Sequence, residues 1–140
     1  MKTTLLVLTT LFLAFSTPGF AQENNPSIEV HVTNIKSNKG NISVGLYKGK
    51  DNFLRKTYKS IKVKANKSGV TVTFEDIMPG EYAISLYHDE DENEKLNTFL
   101  RIPTEPYGVS NNAKGQFGPP KWEGAKFNVE SEIVVQNIKL

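Results

Sequence analysis

The sequence predicts an all-β protein built as an antiparallel β-sandwich. Three observations carry that expectation. Apolar and polar residues alternate with period two through several short runs, the pattern of strands with one face in a core. Clusters of glycine, asparagine and proline separate those runs at hairpin spacing. No window sustains a helical period, and roughly six or seven short strands without helices pack as two sheets.

Residues 1–21 read as a secretory signal. Lys2 gives a positive start, residues 5–15 are apolar apart from Thr9 and Thr10, and Gly19-Phe20-Ala21 fits a cleavage site before Gln22. The apolar run is shorter than the ~20 residues a spanning helix needs, and no later stretch is apolar enough to span. The expectation is an exported chain in the periplasm or outside the cell, with no membrane insertion once the signal is cleaved. Residues 22–27 are polar, contain Pro26, and read as a flexible leader. Residues 28–140 then form one domain. There is no cysteine, so no disulfide, thiolate nucleophile, thiolate metal site or cysteine-borne lipoprotein anchor is expected.

Strand by strand, Ile28, Val30 and Val32 alternate with Glu29, His31 and Thr33. Ser37-Asn38-Lys39-Gly40-Asn41 is turn chemistry, and Ile42, Val44 and Leu46 follow, so the two runs read as a hairpin. Phe53 and Leu54 are expected to tuck under a polar link over 48–56. Ile61, Val63 and Ala65, the turn Asn66-Lys67-Ser68-Gly69, and Val70, Val72 and Phe74 read as a second hairpin. Its lysines suit an exposed sheet edge guarded against strand addition. A net charge of +2, scarce arginine and the lack of a nucleic-acid motif exclude a nucleic-acid partner. Pro79-Gly80 suits the centre of a type II turn. Tyr82, Ile84, Leu86 and His88 then form one face of a strand whose other face, Ala83, Ser85 and Tyr87, is also apolar or aromatic, which predicts a central position. Phe127 with Val129, and residues 133–140, read as the closing strands. The phrase Phe74-x-x-Ile77-x-Pro79-Gly80-x-Tyr82 resembles one common in transthyretin-like and immunoglobulin-like modules, where an apolar residue plugs the core before the turn.

Residues 98–124 hold four prolines and four glycines together with Phe99, Leu100, Ile102, Tyr107, Phe117 and Trp122. That is too apolar for a solvated linker, and predicts an ordered loop folded over one end of the sandwich. Its aromatics either stack on a ligand or plug the loop down.

The candidate chemistry lies just before that loop. Asp89, Asp91 and Asn93 stand at alternate positions, followed by the Lys95 carbonyl and Asn97. This is the spacing at which short oxygen ligands curl a backbone around calcium. Glu94 sits where such loops place glycine and Leu100 where an EF-hand places glutamate, so an EF-hand is rejected. A looser calcium loop and a solvated acidic tip both remain open, with Glu90, Glu92 or Glu105 available to complete a shell. His88 beside Asp89 raises a hydrolase, with Ser110 as nucleophile, but 108–112 lacks the second glycine of a nucleophile elbow.

The run from His88 to Ala125 resembles an exported bacterial family, domain of unknown function 2141. The matching phrases are His88-Asp89 with Asp91 and Asn93, Ile102-Pro103-Thr104-Glu105-Pro106-Tyr107-Gly108, Ser110-Asn111-Asn112 and Gly118-Pro119-Pro120. Pro79-Gly80-x-Tyr82-Ala83 matches upstream. Glu94 stands where members usually have glycine, Asn97 where aspartate is usual, and Val109 where an aromatic is common. The resemblance implies an exported β-sandwich and supplies neither a reaction nor a ligand.

The function expected from all this is an exported non-catalytic binding module. Its acidic turn and aromatic loop form one composite end that takes a glycan or protein partner through His88, Glu105, Tyr107, Phe117 and Trp122, with calcium ordering the loop. The alternatives are a structural scaffold module of the cell envelope, and a hydrolase using His88 and Asp89.

Overall fold

The computed structural model describes residues 26–140; the expected secretory signal over residues 1–21 and residues 22–25 of the expected leader lie outside them. Two sheets face each other. The first has the order β10 (Val134–Lys139), β1 (Ile28–Thr33), β4 (Val70–Phe74). The second has the order β3 (Lys59–Lys64), β2 (Asn41–Lys48), β5 (Gly80–Asp89), β8 (Tyr107–Val109), and β9 (Phe127–Val129) pairs with β5 off this path. A small separate hairpin joins β6 (Thr98–Phe99) to β7 (Ile102–Pro103).

The inward rows form the core: Ile28, Val30 and Val32 from β1, Ile42, Val44 and Leu46 from β2, and Tyr82, Ile84 and Leu86 from β5 are buried there. Period-two alternation puts the remaining side chains of β2 and β5 on the far side of the second sheet. Part of that outer face is covered by a second cluster, in which Phe53 and Trp122 pack with Ala83, Val109 and Ala125. β5 is therefore the central strand with both faces in use, as its sequence predicts.

Three expectations need correction. Neither expected hairpin exists: β1 bonds to β10 and β4, whereas β2 bonds to β3 and β5. The turns at Gly40 and Gly69 carry the chain across the sandwich, because a reversal with positive φ serves a corner between sheets as well as a ladder. The sandwich is also not purely antiparallel, since β1 and β10 run parallel from Ile28↔Val134 to Thr33↔Lys139. Gly80 has φ 152°, far from the value near +80° of a type II turn. The leader's last two residues are held in place, the Pro26 carbonyl accepting the Ile77 N–H and the Ser27 carbonyl the Val134 N–H.

The lysine-bearing β3 is an edge strand, as expected of an edge kept charged. The long loop is ordered by its own elements: β6, β7, β8, a 3-10 turn over Ser110–Asn112, and α1 (Trp122–Ala125). Buried Ser110 ties it down, its Oγ donating to the Ala125 carbonyl and accepting the Ile84 N–H at 2.9 Å.

Candidate functional site

The acidic turn leaves β5 at Asp89, which is fully buried. Its Oδ1 accepts the Asn93 N–H at 3.0 Å and its Oδ2 the Glu94 N–H at 2.9 Å, so the carboxylate folds the turn around itself. Glu92 and Glu94 take positive φ, 58° and 63°, and Glu94 thereby adopts the conformation for which the family pattern keeps glycine. Glu105, from beyond the β6–β7 hairpin, closes the ring: Oε1 accepts the Glu90 N–H and Oε2 the Asn97 N–H. Oxygens of Asp89, Asp91 and Glu105 lie within 4.8 Å of one another.

The Asn93 and Asn97 amides each donate to Asp91 Oδ2, at 3.0 and 2.9 Å. The Asn97 amide first, and then the Asn93 backbone N–H on Oδ1, hold the Asp91 carboxyl below its ordinary range. A cation among these groups would need both amides turned over to present oxygen. Lys95 donates its N–H to Asn93 Oδ1 at 2.9 Å. Lys64 and Lys62 of β3 bond Glu92 and Glu94 and lower those two carboxyls as well. A lowered carboxyl stabilises the fold above the ordinary carboxylate range and loses that contribution as pH falls through its lowered value. Hydrogen-exchange protection of the Asn93 N–H, which also bonds Asp91 Oδ1, is therefore expected to persist through the ordinary carboxylate range at pH ~4 and to be lost only at lower pH; loss already above that range would contradict the lowered Asp91 carboxyl.

His88 and Asp89 point to opposite faces of β5. His88 faces the core, fully buried, with Nε2 2.7 Å from the Lys39 carbonyl and Nδ1 3.7 Å from Glu90 Oε1, and it forms no dyad with Asp89. Trp122 is also buried, 6% exposed, with its ring 5.7 Å from Phe53. It is a plug rather than a stacking platform, because it covers Ala83 on the outer face. Ala83 is six residues from Asp89 along β5, roughly 20 Å at the usual strand rise. The single composite end is therefore corrected. Phe117 is wholly exposed and Tyr107 is 41% exposed.

What the acidic turn and the aromatic loop do share is the outer face of the second sheet. Between the Trp122 plug and the acidic turn, one rank of aligned residues runs Ser60, Gly45, Ser85, Val109 across β3, β2, β5 and β8. The small side chains leave a depression of about 350 Å³, bordered by Tyr47, Tyr87, Thr57, Lys62 and Glu94. Burial, and then the neighbouring Tyr87, push the Tyr47 phenol above its ordinary pKa, so it remains a neutral hydroxyl. A second cleft of about 420 Å³ adjoins at Ser85, lined by Tyr107 and Val109 of β8, Ile102 and Pro103 of β7, and Pro119 and Pro120. Sequence reasoning missed this surface. Its one signal was the set of small residues at outward positions of β2 and β5.

No helix of the described residues is long and apolar enough to cross a membrane. No curated protein and no solved structure matches the chain. The model of an uncharacterized protein family conserved in bacteria, DUF2141, matches residues 30–137, and the chain belongs to that family.

Proposed function

We propose that the protein is an exported, non-catalytic binding module that takes a sugar in the depression between Tyr47 and Tyr87. The carrying observation is the rank Ser60–Gly45–Ser85, a floor of small side chains with hydroxyls on either side of a glycine, walled by two tyrosines. A flat sugar ring offers C–H faces to aromatic rings and hydroxyls to Ser, Lys and Glu, and this wall carries all of them. The signal-like residues 1–21 support export. Removing one stacking ring costs about 0.5–1.5 kcal/mol, so Tyr87→Ala is expected to weaken binding on a glycan array several-fold with the melting temperature nearly unchanged. If no glycan binds the wild-type protein at millimolar concentration, the reading fails and the scaffold module is favoured.

Calcium is the ion proposed to order the wall that Glu94 contributes, held by Asp89, Asp91 and Glu105 with the Asn93 and Asn97 side-chain oxygens and the Lys95 carbonyl. Three carboxylates converging within 4.8 Å repel one another unless neutralised. The affinity expected is that of extracellular modules, Kd about 10⁻⁴–10⁻³ M. At ten times Kd, linkage adds about 1.4 kcal/mol, which raises the melting temperature by roughly 5 °C in a domain of this size. Asp91→Asn with Glu105→Gln is expected to abolish that rise. A rise that survives the pair, or one that magnesium reproduces, would remove this site.

A further inference from the structure

The polar depression and the apolar cleft meet at Ser85, which lines both. One rank of the sheet continues from Gly45 through Ser85 to Val109, and the next pairs Tyr87 with Tyr107. The two hollows are thus halves of one trough across the outer face. Their chemistry differs sharply. The first is lined by three serines, two tyrosines, a lysine and a glutamate. The second is lined mainly by proline, isoleucine, leucine and valine, with Arg101 its single charged group.

The apolar half is left uncovered by the rest of the described chain. Ile102 is 67% exposed there, and Leu54 and Tyr107 are about two-fifths exposed. Phe99, at the stem of the same hairpin, is 68% exposed. Contiguous exposed apolar surface marks a binding surface. The hairpin that carries it is built against local preference, because Leu100 and Arg101, its two turn residues, both take positive φ, 49° and 67°, where Asn-Gly is the favoured pair. Local rules are broken in this way at functional sites more than elsewhere.

We infer that the ligand is an amphiphile, a sugar headgroup joined to an alkyl or acyl chain, with the sugar between Tyr47 and Tyr87 and the chain passing over Ser85 into the cleft between β7, β8 and Pro119-Pro120. This rests on the sugar-binding reading and adds the second half of the ligand. An uncharged glycolipid-type molecule fits better than a fatty acid, because the one cation bordering the polar half, Lys62, is already paired with Glu94, and the serine and tyrosine hydroxyls there suit a polyol. Arg101, in the turn of the β6–β7 hairpin, lines the apolar half.

Isothermal titration of the wild-type protein with methyl β-D-glucoside, octyl β-D-glucoside below its micelle concentration, and octanoate separates the possibilities. The octyl glucoside is expected to bind at least tenfold more tightly than the methyl glucoside, and octanoate more weakly than either. Ile102→Ser with Leu54→Ser, two exposed residues of the apolar cleft that border neither tyrosine wall, is expected to erase the octyl advantage while leaving methyl glucoside binding unchanged. Equal affinity for the two glucosides overturns the amphiphile and leaves the sugar reading standing. Tight octanoate binding that ignores Tyr87→Ala overturns it in favour of a fatty-acid site. Absence of binding by all three overturns both readings.

Discussion

Replacing Trp122 by alanine is expected to lower stability by about 3–5 kcal/mol, the cost of emptying a buried aromatic position. The indole is 6% exposed and is packed by Phe53, Ala83, Val109 and Ala125. Nothing else in that cluster has the volume to fill the hole. Tyr47 packs edge-on against Phe53, so the loss is expected to loosen one wall of the sugar depression too. Urea unfolding measures the effect, and Trp122→Phe, which keeps a ring in place, is expected to cost less than half as much. A change below ~1 kcal/mol for alanine would show that the loop is held by Ser110 and its backbone bonds instead.

Gly40→Ala is expected to be comparably damaging, about 3–5 kcal/mol, for a different reason. Gly40 has φ 66°, and a Cβ there would meet the Asp89 carbonyl oxygen at 1.9 Å and the Glu90 Cα at 2.6 Å. Both are backbone atoms, so no side chain can rotate away. Gly49→Ala is the internal control. Gly49 also has positive φ, 78°, but nothing lies within 4 Å of its added Cβ. With ψ 154° it lies in a region that essentially only glycine populates, so it should show a conformational cost without a clash, about 1–3 kcal/mol. A clearly larger loss of melting temperature at Gly40 than at Gly49 reports the clash. Because the displaced atoms begin the acidic turn, Gly40→Ala is also expected to remove any calcium-dependent rise in melting temperature. Equal costs for the two glycines would mean that the corner yields freely.

The strands were legible because alternation reports burial directly. Tyr82, Ile84, Leu86 and His88 are all buried on the core side, as their spacing requires. Strand partners were not legible. Gly40 and Gly69 reverse the chain, and a reversal is equally compatible with bonding beside the previous strand or facing it across the core. That choice is made by which edge each inward row can cover, a property of all the rows together. β8 was hidden among prolines, being three residues long. The acidic turn is readable from the alternate spacing of Asp89, Asp91 and Asn93, and Glu105, one of the carboxylates available to complete a shell, does close it through the Glu90 and Asn97 N–H groups. The trough escaped notice because its signal is the lack of side-chain bulk at Gly45 and Ser85, which means something only once their strands are aligned.

The parallel pairing of β1 with β10 sets an order of events. Ile28 and Val134, at opposite ends of the sequence, must meet before the first sheet has its middle strand bonded on both sides. Contacts this distant in sequence are slow to form. Until Val134 to Lys139 docks, Ile28 to Thr33 has one unsatisfied edge. A chain stopped before residue 134 keeps a bare β-edge and a half-covered core. Val134 to Lys139 thus acts as the clasp of the first sheet, which closes only when that strand has docked on β1.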